Sequence, residues 1–265
     1  MKRILLAFQF LTIIPFGNAG KVSEREMGGA TAFFPLVGFV EGMIYILLAS
    51  LFLKAFPSDL TNGLLIFAMI FLNGGLHMDG LSDTFDALAS RGDREKKLAI
   101  MKEGTVGPTG VVAIVLVILL KYLLLNAVFF HSSLRSFFVT LILVPVLSRW
   151  AMVPAIYHCR SVRQDGLGKV FIEHTGVKEM ISSTVLALIL CVAGVFALCS
   201  GNRCQLMSEL HLFIILPLLY VFGLSSVWFF KKHFDGMTGD SFGTVHETAT
   251  LLVLIIRVIW SQQYF

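Results

Sequence analysis

The sequence predicts an all-α fold, a polytopic bundle of about seven transmembrane helices after a short N-terminal helix. Apolar residues make up 56% of the 265 residues and charged residues only 14%, whereas soluble proteins average about 25% charged residues. Several apolar runs approach the roughly 20 residues that a helix needs to cross a bilayer. We therefore expect residues 1–265 to form a single integral membrane domain in contact with lipid.

The first element, residues 4–16, is apolar but too short to span a membrane simply, so we expect an interfacial or re-entrant helix. A polar loop follows it, and then come seven apolar runs that we assign as spans. Their ranges are 33–53, 61–78, 108–130, 137–158, 181–200, 211–230 and 242–260. The second span is barely long enough, and the Gly74-Gly75 pair near its end could bend the helix or allow close packing.

The basic residues predict the orientation, because Lys and Arg concentrate in cytoplasmic loops. One alternating set of segments, namely 1–32, 79–107, 159–180 and 231–241, contains 15 of them. The loops of the other set contain three, which are Lys54, Arg135 and Arg203. We expect the first set to face the cytoplasm and the C-terminus to lie outside.

Three carboxylates follow the second span at a helical spacing. Asp79, Asp83 and Asp86 stand at i, i+4 and i+7, so on a helix they form one stripe. At about 6 Å, each pair repels by roughly 3 kcal/mol at an effective dielectric of 20. A divalent cation that prefers oxygen ligands, above all Mg²⁺, would relieve this repulsion. The alternative is a solvated helix face, or one neutralised by the basic residues that follow: Arg91, Arg94, Lys96 and Lys97.

Two further acids begin the last span. Asp240 and Glu247 are seven residues apart, so on a helix they share a face about 10 Å long. Both belong to the leaflet that holds Asp79, and we expect them to bind the same ion or a second one. The alternative is a helix cap at Asp240 and an incidental Glu247, although an acid inside a span is usually functional.

Two other polar residues keep alternatives open. Arg149 lies inside the fourth span, where it could contact an anionic phosphate or pair with Glu41. His77 could bind phosphate, act as a general base or cap a turn. The glycine-containing loops 104–107 and 165–171 allow close backbone approach, but each is an ordinary turn by itself.

Taken together, several motifs resemble the cobalamin synthase family, the adenosylcobinamide-GDP ribazoletransferases. The most specific is His-x-Asp-Gly-Leu-x-Asp-x-x-Asp, which begins at His77. The others run in order along the chain: 34–38, 100–102, 148–149, 166–168 and 238–243, followed by Glu247. Ala87 stands where the family pattern has Gly, and Glu103-Gly104-Thr105 stands where it often has Asp-Ser-Arg.

The resemblance implies a membrane-bound catalytic domain that joins adenosylcobinamide-GDP and α-ribazole, or its 5′-phosphate. The products would be adenosylcobalamin, or its 5′-phosphate, and GMP, with Mg²⁺ as cofactor. It implies the cytoplasmic membrane of a prokaryote, small-molecule partners and no nucleic acid; a homo-oligomer stays open. The implied metal ligands are Asp79, Asp83, Asp86 and Asp240; the catalytic candidates are Glu247 and His77; and the phosphate contacts are Lys102 and Arg149.

Two other classes of function compete with this interpretation. A CDP-alcohol phosphotransferase also carries clustered Asp residues near a membrane, but Asp79-Gly80 lacks the Asp-Gly-x-x-Ala-Arg continuation. An ion-coupled transporter would normally place its acids near the bilayer midplane, whereas these acids gather toward one face.

Overall fold

The computed structural model describes residues 1–199 and 212–262. This part of the chain contains no β-strand and only an isolated bridge between Ser161 and Met237, so the all-α prediction is confirmed. The helices are α1 Lys2–Leu11, α2 Glu24–Gly28, α3 Phe34–Phe52, α4 Ser58–Leu72, α5 Leu76–Ala89, α6 Arg94–Glu103, α7 Pro108–Phe130, α8 Leu134–His158, α9 Leu167–His174, α10 Val177–Cys199, α11 Leu212–Phe234 and α12 Gly239–Gln262. A 3₁₀ turn, Gly29–Phe33, leads into α3.

Six helices in the described ranges are long and apolar enough to cross a membrane: α3, α7, α8, α10, α11 and α12. A seventh crossing results if α4 and α5 together form one bent span, which agrees with the predicted number. The predicted ends at residues 200 and 211, and Arg203 between them, lie outside the described residues. The predicted N-terminal helix is present as α1, which has only ten residues.

Helix α8 is the centre of the bundle, and nearly all its residues from 137 to 156 are buried. Two glycines of α3 let that helix approach it closely. A Cβ added to Gly42 would lie 2.8 Å from the Cα of Ile142, and one on Gly38 would meet the Pro145 backbone. Small residues four apart are typical of such close helix contacts in membranes.

The chain bends by 85° between α4 and α5. Gly74 and Gly75 at the bend have φ values of +59° and +73°, a region that glycine enters without steric cost. The 15 residues of α4 extend about 22 Å, which is less than the roughly 30 Å hydrocarbon core. The glycine pair therefore bends the chain, one of its two predicted roles, and α5 departs steeply from the direction of α4.

Candidate active site

Helices α5 and α12 cross where each carries a glycine. A Cβ on Gly80 would lie 2.8 Å from the Cα of Asp240, and one on Gly243 would lie 2.8 Å from the carbonyl oxygen of His77. Because both positions lack a side chain, the two backbones touch. This contact brings the first acid of α12 beside the acidic face of α5, as the sequence predicts.

A cavity of about 250 Å³ opens at this crossing. Its walls come mainly from α5, from the start of α12, and from the segment that leads into and begins α9, with Phe10 of α1 and Met152 of α8 beside them. The charged residues that line it have both signs: Asp79, Arg163, Asp165, Lys169 and Asp240. Such a mixture can hold a phosphate group on the basic side and a cation on the acidic side.

Asp83 is the acid of the stripe with the least solvent exposure, at 5%. It experiences the negative charges of Asp79, Asp240 and Asp86, and its only attractive neighbour among the charges acting on it is Arg163. Within residues 1–199 and 212–262, the side-chain carboxylates of Asp83 and of the exposed Asp79 make no hydrogen bond and no ion pair. The charges of these two carboxylates are therefore available to a cation.

The donor set fits Mg²⁺ in its chemistry, because carboxylate oxygens are the ligands that this ion prefers. In the described ranges, however, no three His, Cys, Asp or Glu side chains stand close enough to hold a metal ion. Mg²⁺ binding therefore stays a prediction, and it requires the carboxylates to converge further when the ion binds.

Asp86 has a different environment from the other two acids of the stripe. Its carboxylate accepts hydrogen bonds from the backbone amides of Gly107, at 2.7 Å, and Gly110, at 2.8 Å. Amides at a helix N-terminus favour an anion, so the start of α7 binds an acid of the chain itself. This contact fastens α5 to α7 and occupies both Asp86 oxygens, which gives Asp86 a structural role in this arrangement.

Asp240 accepts a hydrogen bond from Arg163 Nη2 at 2.8 Å, and Thr238 Oγ1 donates to the same carboxylate at 3.2 Å. Arg163 Nη2 also donates to the Met101 carbonyl at the end of α6. From the sequence alone, Arg163 is only one of the basic residues of segment 159–180. The signal that could have found it is its position two residues before the glycine-containing loop 165–171.

Arg149 is fully buried and makes a two-pronged contact with Glu41. Its Nε lies 2.8 Å from Oε2 and its Nη2 lies 2.5 Å from Oε1. Nη2 also donates to Asn73 Oδ1, just before the bend. Of the two alternatives that the sequence leaves open, the structure has the pairing with Glu41, and the charge of Arg149 is thereby matched inside the bundle.

The remaining predicted residues lie at different depths. Glu247 forms a buried ion pair with Lys121 of α7, and it is not among the described residues that line the cavity. His77 does line the cavity, and its ring packs against that of His246, with 4.0 Å between the centroids and a tilt of 32°. Lys102 is exposed in the last turn of α6. Glu247 is therefore matched within the bundle, and the predicted convergence on the acidic stripe is seen only for Asp240.

These features define a class, the multi-pass membrane proteins with a charged cavity at one end of the helix bundle. The chain belongs to the cobalamin-5-phosphate synthase family, whose model matches residues 3–258. It is 33% identical to an adenosylcobinamide-GDP ribazoletransferase of Thermodesulfovibrio yellowstonii, over 96% of this chain and 95% of the relative. It is 34% identical to the protein of that name from Geotalea daltonii, over 97% of each chain. No solved structure matches it.

Proposed function

We propose that this protein is an adenosylcobinamide-GDP ribazoletransferase of cobalamin biosynthesis and that the reaction takes place in the cavity between α5 and α12. The membership of the family supports the activity. The observation that supports the location is the charge of the cavity walls, where the unpaired Asp79 faces the same space as Arg163 and Lys169. A diphosphate substrate with its cation has matching charges of both signs.

The reaction exchanges one phosphorus–oxygen bond for another. The ribazole hydroxyl oxygen attacks the phosphorus that is bonded to cobinamide, the bond from this phosphorus to the bridging oxygen breaks, and GMP leaves with that oxygen. Within the cavity, Asp79 and His77 are groups that can take the hydroxyl proton. Mg²⁺ held by Asp79, Asp83 and Asp240 would neutralise the charge that builds up on the leaving phosphate.

We also infer the orientation of the site. Basic segments of the sequence meet beside α5, where Arg163 contacts Asp240 and Arg94 pairs with Asp235, and such segments remain on the cytoplasmic side. This side would give the cavity direct access to water-soluble nucleotides. The proposed location is thus the cytoplasmic membrane of a prokaryote, with the cavity open to the cytoplasm.

A single assay tests the activity and its metal requirement. Purified protein in lipid nanodiscs receives both substrates, with Mg²⁺ or with EDTA, and GMP is measured. We expect GMP only when both substrates and Mg²⁺ are present. Asp79→Asn should abolish its formation, whereas Asp59→Asn should not, because Asp59 is a similarly exposed acid in the first turn of α4. Release of GMP without α-ribazole would contradict the transfer reaction.

A further inference from the structure

We propose that Arg163 binds the diphosphate of the nucleotide-activated substrate, and that it does so by exchanging its ion pair with Asp240 for the phosphate oxygens. The inference rests on the proposed function, because it names the part of the cavity that takes the donor substrate. It is carried by the position of Arg163, the contacts it makes and the backbone next to it.

Arg163 is in a position to move. Its side chain is 30% exposed and lines the cavity, and its charge is paired with a carboxylate that is itself 20% exposed. The contact at 2.8 Å uses Nη2, the nitrogen that also donates to the Met101 carbonyl. Within the described ranges, Nε and Nη1 make no hydrogen bond and no ion pair, so part of the guanidinium fork remains available for phosphate oxygens.

The backbone beside Arg163 is held in place by hydrogen bonds, whereas its side chain is partly exposed. Val162 N donates to the Met237 carbonyl at 3.2 Å, and Met237 N donates to the Arg160 carbonyl at 2.9 Å. These two bonds join the segment before α9 to the segment before α12. The guanidinium can therefore change partner by side-chain rotation alone, while its Cα stays at the edge of the cavity.

The first turn of α9 continues the same wall. Gly166, Leu167, Gly168 and Lys169 all line the cavity, and Gly168 packs so closely on α12 that an added Cβ would lie 2.6 Å from the amide nitrogen of Gly239. The wall therefore combines helix N-terminal amides with two cations, a combination that favours phosphate.

The ion pair also explains why Asp240 is not yet a free metal ligand. While Arg163 is bound to it, one of its carboxylate oxygens is shared with a cation of the chain. A diphosphate that draws the guanidinium away releases this carboxylate for the cation that accompanies the substrate. Donor binding and completion of the acidic site are then one coupled event, and each favours the other.

The test measures binding of GDP rather than activity, with purified protein in nanodiscs and equilibrium dialysis of labelled GDP. Arg163→Gln should weaken GDP binding roughly 10- to 100-fold, the usual effect of losing a charged hydrogen bond. Guanosine, which lacks phosphate, should bind both proteins equally. Arg160→Gln is the matched control, since Arg160 is an exposed arginine three residues away in the same segment.

The proposed exchange of partners also predicts a variant whose GDP affinity rises instead of falling. In EDTA, Asp240→Asn should bind GDP more tightly than the wild-type protein, because Arg163 no longer has a competing carboxylate. If the pair were only a structural clamp, Asp240→Asn would weaken GDP binding, as Arg163→Gln does, or leave it unchanged. Either of these results for Asp240→Asn would overturn the inference.

The outcomes separate this inference from the proposed function. Normal GDP binding by Arg163→Gln, with GMP formed by the wild-type protein, refutes the role of Arg163 alone. If the wild-type protein neither binds GDP nor forms GMP, both proposals fail. Arg163→Lys keeps the charge but not the fork, so an intermediate GDP affinity in this variant is the result expected of direct phosphate contact.

Discussion

The buried pair of Arg149 and Glu41 gives the sharpest test of how the site is supported. Glu41→Gln leaves the shape of the side chain almost unchanged but removes the charge that matches a fully buried guanidinium. Removing one partner of such a pair typically costs about 3–5 kcal/mol. This is roughly a 100- to 4,000-fold change in the unfolding equilibrium, since each 1.4 kcal/mol is a factor of ten.

The assay is unfolding of the purified protein in mixed micelles by increasing SDS, read by circular dichroism. We expect large losses of stability in Glu41→Gln and Arg149→Gln, and a loss in the double variant that is smaller than their sum. Asp235→Asn is the control, because it breaks an exposed ion pair with Arg94 and should cost less than about 1 kcal/mol.

The alternative interpretation of Arg149 makes the opposite prediction. If Arg149 bound the substrate phosphate instead, the fold would not depend on its pairing with Glu41, and Glu41→Gln would unfold like the wild-type protein. Arg149→Gln would then raise the KM for adenosylcobinamide-GDP without destabilising the fold. Finding that pattern would refute the structural role inferred from the bidentate contact.

Three further predictions follow from the site and the topology. Asp83→Asn should lower GMP formation by roughly 100-fold or more, yet leave the protein at least as stable without substrate, because the lost charge is buried among like charges; a stable and fully active variant would exclude a metal role. In a cysteine-free background, Glu95→Cys should react with an impermeant maleimide only in inside-out vesicles and Ala55→Cys only in spheroplasts; the reverse pattern would invert the topology. Gly110→Ala should destabilise the protein by about 1–3 kcal/mol, because the new methyl group would occupy the space of the Asp86 carboxylate; an unchanged unfolding curve would contradict that packing.

The sequence predicts the helical class and the crossings well, because apolar length is a local property of the chain. It also names the bend as one of two possible roles of the Gly74-Gly75 pair, the other being close packing, and the structure has the bend. It does not reveal which cation each buried acid meets. Glu41 and Arg149 are 108 residues apart, and Lys121 and Glu247 are 126 apart, so only packing decides these pairs.

The acidic stripe shows the same limit within a single motif. Asp79, Asp83 and Asp86 are of one residue type and lie on one helical stripe, so the sequence treats them as equivalent metal ligands. The structure separates them by their partners: Asp86 meets the amides that begin α7, while the other two have no partner in the described part of the chain. The spacing places the three side chains on one face of the helix. The neighbouring helix determines which of these carboxylates is hydrogen-bonded within the protein and which is available to a ligand.

The bend, the Arg149 pair and the Asp86 contact together explain how a charged helix can lie at the end of a membrane bundle. The glycines redirect the chain, Arg149 holds Asn73 immediately before them, and Asp86 fastens the far half of α5 to α7. In each polar contact the charge has a partner of opposite sign: Glu41 for Arg149, and the backbone amides at the start of α7 for Asp86. Among the three acids of α5, the unmatched charge is therefore confined to Asp79 and Asp83, beside Asp240, whose guanidinium partner can be exchanged. A cation and a diphosphate that arrive together would satisfy both sides of this cavity at once, which gives the site a physical reason to bind them as a pair.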